Sequence, residues 1–240
     1  MDGRGDAAGS ADETIGGQTA VDKIVTFDCY GTLVDFDLNR VVRAALKDRF
    51  RIGGVDEAEF LNDFRVMRFQ AVLEPYRQYK EILAVSLEHA MRLHGLPYRT
   101  EDGRALVAAV PTFGPFPEVP AALARLKEKY KIAIISNTDD DLISHNVERI
   151  GVHFDYVITA EQARAYKPSR EAFEYALRVT GSAPGQVIHV AQGFEYDIVP
   201  TYGLGMRRIW VNRSGRRGSS AFMPYEEIPD MSRLPALLGL

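Results

Sequence analysis

At 240 residues the chain has room for one large domain, or for a core domain carrying a smaller insert. With 46% hydrophobic and 26% charged residues it has the make-up of a globular protein, and a net charge of −4 offers no electrostatic footing for nucleic acid or an anionic membrane. The single cysteine, Cys29, excludes an internal disulfide and fits a reducing, cytoplasmic setting, and no apolar stretch approaches the ~20 residues of a membrane span.

Residues 1–20 are rich in Gly, Ala and Asp, with neither a basic start nor an apolar run, so they read as a disordered leader rather than a signal peptide. Five short strands are predicted, at Lys23–Phe27, Lys131–Ser136, Tyr156–Thr159, Val187–Ala191 and Arg207–Val211. Each is apolar at nearly every position and rich in β-branched or aromatic residues, the pattern of strands covered on both faces. Between the first and second the character changes. Leu38–Phe50, Glu57–Val72 and Tyr79–His94 are predicted helices, followed by a short one at Asp102–Val110, with no strand among them. Within the third, Tyr79, Ile82, Leu83, Ser86, Leu87, Ala90 and Met91 keep the i, i+3, i+4, i+7 spacing of a buried face. Such a block reads as an inserted cap rather than as further core. Its edges fall near Asp37 and in the proline-rich linker Pro111–Pro117, giving a core of residues 21–36 and 113–240 and a cap of residues 37–112. Past the linker, helices at Pro120–Lys129, Asp139–Ile150 and Arg170–Val179 alternate with the strands. Pro120 is tolerated in a first turn, and Ser169 is a suitable N-cap. The alternation predicts a parallel, doubly wound α/β core.

In such a sheet, ligands bind outside the carboxyl ends of the strands, where the strand order switches. Four polar groups fall at strand ends. Asp28 follows the first strand and Ser136-Asn137 closes the second; Lys167-Pro168 comes shortly after the third and Asp197 after the fourth. One polar residue ending a strand is usually loop. Four in order, including one lysine and two aspartates, make a candidate active site.

These four segments resemble the motifs of the haloacid dehalogenase superfamily: Asp28-x-Tyr30-Gly31-Thr32, Ser136-Asn137, Lys167-Pro168 and the acidic loop containing Asp197. The resemblance spans residues 21–213, and within the superfamily the chain looks most like the (S)-2-haloacid dehalogenase branch. It implies a Rossmann-like, three-layer α/β/α core with an inserted all-helical cap, and an active site between the two. Most of the superfamily are magnesium phosphatases, which carry a second aspartate two residues after the first to protonate the leaving alkoxide. They place a further metal-binding aspartate in a Gly-Asp of the fourth motif. Here those positions are Tyr30 and Gln192. A halide leaves as a stable anion and needs neither an acid nor a metal, so both replacements favour a hydrolase without cofactors.

The resemblance implies that Asp28 attacks C2 of a 2-haloacid, that Asp197 holds the water which then cleaves the aspartyl ester, and that Lys167 keeps Asp28 ionised. Thr32, Ser136 and Asn137 would orient Asp28 and donate to the ester oxyanion or the substrate carboxylate. A carboxylate also calls for an arginine fork, expected from Arg65 or, one turn on, Arg68. Tyr30, Gln192, Phe194 and Tyr196 are expected along the substrate. The partner is thus a small carboxylic acid, with no nucleic acid or membrane, and related dehalogenases being often dimers implies a homodimer. Phe173 and Gln192-Gly193-Phe194 depart from the dehalogenase pattern and leave the substrate open. The alternatives are a magnesium phosphatase that rebuilds its metal site with Glu195 and Asp197, a hydrolase opening a small cyclic imino acid with Tyr30 or Glu195 as proton source, and a catalytically silent binding protein. His189 inside an apolar strand reads as a core histidine, Cys29 as a buried structural thiol and Arg213–Gly218 as a solvated loop; the other histidines have no metal-ligand spacing.

Overall fold

The computed structural model describes residues 24–240. The expected leader at residues 1–20 lies outside them, as does Lys23 of the first strand. In chain order the elements are β1 (Ile24–Phe27), α1 (Leu38–Gly53), α2 (Glu57–Leu73), α3 (Tyr79–Leu93), α4 (Thr100–Ala109), α5 (Val119–Leu126), β2 (Lys131–Ser136), α6 (Asp140–Ile150), β3 (Tyr156–Thr159), α7 (Ala160–Ala163), α8 (Arg170–Thr180), β4 (Val187–Ala191), β5 (Arg207–Val211), β6 (Glu226–Ile228) and α9 (Leu234–Leu237). A single π-helical turn, Phe194–Ile198, follows β4.

The strands form one parallel sheet in the order β3-β2-β1-β4-β5-β6, the arrangement of a Rossmann-like α/β fold. β1 and β4 are buried at every position, as strands covered on both faces must be. The order reverses between β1 and β4, so the loops after these two strands diverge and open a crevice at their carboxyl ends.

All five predicted strands are present. β6 was not predicted: Glu226-Glu227-Ile228 is short and charged, as suits an edge strand that must not recruit another chain. It is held beside β5 by the bidentate pair of Arg207 with Glu226, at 2.8 and 2.9 Å.

The helical block α1–α4 lies between β1 and β2 in the chain. Asp37 caps α1 by accepting from the Arg40 N–H at 3.0 Å, and Asp56 caps α2 through Glu59 N–H at 2.9 Å. α3 has no cap from its own Gln78. Instead Asp139, fully buried at the head of α6, accepts from the N–H groups of Tyr79 and Lys80 at 2.8 and 3.0 Å. The carboxylate satisfies two otherwise unpaired donors and faces the positive end of the helix. A core residue thereby fixes the entry of an inserted helix, and Tyr79 with it. Among the described residues, no helix is long and apolar enough to cross a membrane.

Candidate active site

The Asp28–Thr32 turn begins where the ladder ends. Asp28 N–H still donates to Val190 O of β4 at 3.1 Å, so its Cα is fixed by the sheet. The chain then folds back, with the N–H groups of Leu33 and Val34 both donating to Cys29 O at 2.8 and 3.0 Å. Gly31 adopts φ +86°, a left-handed value that a side chain would disfavour. The turn throws the Asp28 carboxylate into the crevice and brings Thr32 behind it. Thr32 donates to Asp28 Oδ2 at 2.6 Å and accepts from Gln192 N–H at 2.8 Å.

Lys167 arrives after β3. Its backbone is bracketed by the Asn137 side chain, which accepts from Lys167 N–H and donates to Lys167 O, both at 2.7 Å. Its ammonium, 2% exposed, donates to Asp28 Oδ1 at 2.8 Å and to Asp197 Oδ1 at 2.7 Å. Burial alone would lower the ammonium's pKa, but the Asp197 and Asp28 carboxylates outweigh it and hold Lys167 above the ordinary lysine value. The two aspartates are not equivalent. Burial pushes Asp28 above its ordinary value although Lys167 opposes it. For Asp197 burial is overcome by Lys167 and by a hydrogen bond from His189, leaving its carboxyl below the usual range.

These groups line a cavity of about 210 Å³. Asp28, Lys167, Asp197, Ser136 and Asn137 form its floor, Tyr30, Gln192 and Tyr196 its sides, and Arg65 and Arg68 of α2 reach it from the helical block. Phe36, Val72, Tyr79 and Gly193 complete the wall, and none of them was expected in the site from the sequence. Ser136 Oγ is buried with no hydrogen-bond partner among the described residues, as is Arg68 Nε. The Arg68 guanidinium lies 4.5 Å over the Phe64 ring, whereas the exposed Arg65 donates to Asn62 Oδ1 at 3.1 Å.

Several expectations change with these positions. Phe194 does not reach the cavity: the π-turn rotates it outward, where it packs edge-to-face on Trp210 and Tyr225 at 4.9 and 5.5 Å. An aromatic ring gains more there than in a polar crevice, and Tyr196 takes the inner place against Phe69 at 5.1 Å. Tyr30 offers the cavity only its ring, stacked on Phe36 at 4.1 Å, because its hydroxyl donates to Asn146 Oδ1 at 3.0 Å. Thr32 works from behind Asp28 and does not line the cavity. Asn137 spends its carbonyl and one N–H on the Lys167 backbone, so it acts mainly by placing the lysine. Glu195 points outward, 3.9 Å from Arg216.

The metal-site alternative can be tested on the donors themselves. Magnesium wants several oxygen ligands free to face it. Here both aspartates already accept from one ammonium, Gln192 replaces a carboxylate and Glu195 lies outside the cavity. The residues do not fit the ion, and among the described residues no three His, Cys, Asp or Glu side chains are grouped to hold a metal.

A family model described as haloacid dehalogenase-like hydrolase matches residues 23–198. The chain belongs to this hydrolase family. Haloacetate dehalogenase H-2 of Moraxella sp. (strain B) is 28% identical to the hydrolase, over 87% of this chain and 92% of that protein. (S)-2-haloacid dehalogenase 1 of Pseudomonas sp. (strain CBS-3) is 24% identical, over 88% and 94%. The solved L-2-haloacid dehalogenase of Xanthobacter autotrophicus with chloropropionic acid covalently bound matches with a TM-score of 0.74 at 22% identity, covering 90% of this chain and 98% of that one, a likeness of fold.

His189 is the residue whose role in the site was missed. It is a satisfied core histidine, as read, but one of its partners is Asp197, at 3.0 Å. The available signal was a second polar residue, Thr26, at a neighbouring strand position; the two are in register across β1 and β4.

Proposed function

We propose that this hydrolase cleaves the carbon–halogen bond of a short 2-haloacid, giving the 2-hydroxy acid and halide. The observation that carries the reading is the Lys167 ammonium bonded to both carboxylates at 2.8 and 2.7 Å, with no metal-ligand set beside them among the described residues. An oxygen of Asp28 forms a bond to C2 as the C2–halogen bond breaks, and the halide leaves with the electron pair. Water then adds to Cγ of Asp28 and gives a proton to Asp197. The bond between Cγ and the ester oxygen breaks, the leaving alkoxide takes up the proton held by Asp197, and the hydroxy acid is released; the Asp28 carboxyl then loses its remaining proton to solvent. One Asp28 oxygen is thereby exchanged with water.

Arg68 is the better fork for the substrate carboxylate, because its unpaired, buried Nε is within the cavity wall while Arg65 is exposed. Ser136 Oγ, also unpaired, supplies a second donor on the floor. The inserted helices act as the cap over the substrate. Support comes from relatives named as a haloacetate dehalogenase and an (S)-2-haloacid dehalogenase, and from the covalent chloropropionic acid adduct of a protein with the same fold. Opening a cyclic imino acid is disfavoured, because an amine must leave protonated. Neither proposed donor is placed for it: the Tyr30 hydroxyl is committed to Asn146 and Glu195 faces outward.

The test is halide release from chloroacetate and from each enantiomer of 2-chloropropionate, with and without EDTA, beside a generic phosphomonoester with magnesium. A single turnover in ¹⁸O-water should raise the mass of the Asp28 peptide by one isotopic oxygen. Phosphate release that requires magnesium, without any halide release, would sink the reading.

A further inference from the structure

Asp197 Oδ1 accepts from two donors fixed by the fold, Lys167 Nζ at 2.7 Å and His189 Nε2 at 3.0 Å. Oδ2 takes no hydrogen bond from any described residue. It lies against Gly193 at the cavity wall, so close that a Cβ there would stand 2.5 Å from it. We infer that His189 is a positioning residue for the ester-hydrolysis step, locking the Asp197 carboxylate so that Oδ2 faces the attacking water.

The lock reaches back into the sheet. A carboxylate only accepts, so Nε2 must carry a proton, and Nδ1 meets the Thr26 hydroxyl at 2.8 Å. Thr26 and His189 are register partners on β1 and β4, and the imidazole is wholly buried, with Phe173 edge-on at 5.5 Å. The ring has partners or packing on these sides and cannot turn away without leaving polar atoms unpaired.

The inference rests on the proposed aspartyl ester, and it distinguishes the two half-reactions. While Asp28 is ionised, Lys167 is shared between two carboxylates. Once Asp28 is esterified its charge is gone, and the ammonium's remaining anionic partner is Asp197. Without His189, Asp197 is free to rotate and offer both oxygens to Lys167, turning Oδ2 from the water. Water needs that oxygen, since its proton goes to Oδ2 as its oxygen bonds to Cγ of Asp28. Gly193 has the matching role in front: with no side chain, it leaves Oδ2 room.

The test compares His189→Leu, which removes the donor, with His189→Gln, which keeps an N–H near Nε2, using rapid-quench halide release and intact-protein mass. In His189→Leu, the first equivalent of halide should appear at close to the wild-type rate. Steady-state turnover should then fall roughly 10- to 100-fold, part of the ~10²–10⁴ a positioned general base contributes, with the ester accumulating on the protein. His189→Gln should recover most of the loss. Equal slowing of burst and steady state, or Gln no better than Leu in folded protein, would overturn the inference. If His189→Leu fails to fold, Gly193→Ala is the second variant, and it should trap the same ester by crowding Oδ2; its turning over without accumulation counts against the inference. ¹⁵N NMR of the His189 ring separates this inference from the choice of substrate. An exchange-protected Nε2 proton that shifts in Asp197→Ala is expected whatever is hydrolysed, and an Nδ1-protonated or freely exchanging ring overturns the inference even if halide release is found.

Discussion

Lys167 carries one positive charge between two buried carboxylates, and in the proposed reaction the balance between them decides which is the nucleophile. Each accepts from two donors, but Lys167 and His189 overcome burial at Asp197 and hold it ionised below the ordinary range, whereas at Asp28 burial outweighs Lys167 and Thr32 and leaves it above its ordinary value of 3.8. The carboxylate with the higher pKa is the more basic and the stronger nucleophile of the two. The proposed attack requires ionised Asp28, so activity should fall as pH drops through this raised value, and the acid limb of kcat/KM should lie above 3.8 and belong to the coupled pair. A pH–rate profile whose acid limb sits below that value would count against Asp28 as the titrating nucleophile. Tyr30 gives a second prediction. Its hydroxyl serves Asn146, which in turn donates to Val110 O and Phe113 O at 2.9 Å, so Tyr30→Phe should lower stability by ~1 kcal/mol and kcat by less than ~10-fold. A loss of ~10²-fold or more in kcat would make Tyr30 a proton donor. Asp28, Lys167 and Asp197 were legible because each ends a strand motif. Phe194 and His189 were not, since which of two aromatics turns inward, and what a buried histidine touches, depend on the twist of the π-turn and on strand register.

At the level of elements, the predicted helices and strands were found within a few residues because their apolar periodicities are strong. What the periodicity does not carry is how one element ends against another. Asp139 reads locally as the start of α6, but its carboxylate belongs to α3, 60 residues earlier in the chain. β6 escaped for the opposite reason: three residues with two glutamates carry no strand signal, and the pairing with Arg207 is visible only across strands. The Asp139 contact leads to a prediction about α3. Asp139→Ala removes the acceptor of two N–H groups, so it should cost ~1–2 kcal/mol in urea unfolding. Amide exchange should quicken at Tyr79 and Lys80. Because Tyr79 lines the cavity, KM should rise more than kcat falls. Asp139→Asn, which keeps an acceptor, should lose less. Equal effects of the two substitutions would mean that charge at the helix end, rather than the hydrogen bonds, sets the entry of α3.

Across the whole molecule, the inserted helices are joined to the sheet by more than the substrate. One continuous apolar core runs from Phe27 and Ile134 in the strands to Phe60, Phe64 and Leu87 in the helices. Polar ties cross the same boundary: Asp139 to α3, Lys80 to Asp141 at 2.7 Å, and the Tyr166 hydroxyl to Arg77 O at 2.7 Å. Tyr76 also stacks on Tyr166 at 5.4 Å. The rim of the site is therefore part of the core rather than a loose lid, which suits a reaction whose nucleophile must stay poorly hydrated. Such continuity predicts a single cooperative transition. Trp210, the sole tryptophan, is buried in β5 and reports the sheet, while far-ultraviolet circular dichroism is dominated by the helices, including α1–α4. Urea curves from the two signals should coincide, with one midpoint and one slope. If the helices lost their signal at lower urea while Trp210 stayed buried, the block would be a separate folding unit and the shared core would not couple it to the sheet. A carboxylate inhibitor held by Arg68 and Ser136 should move both curves together, since a ligand bound only by the folded molecule stabilises everything that unfolds with it.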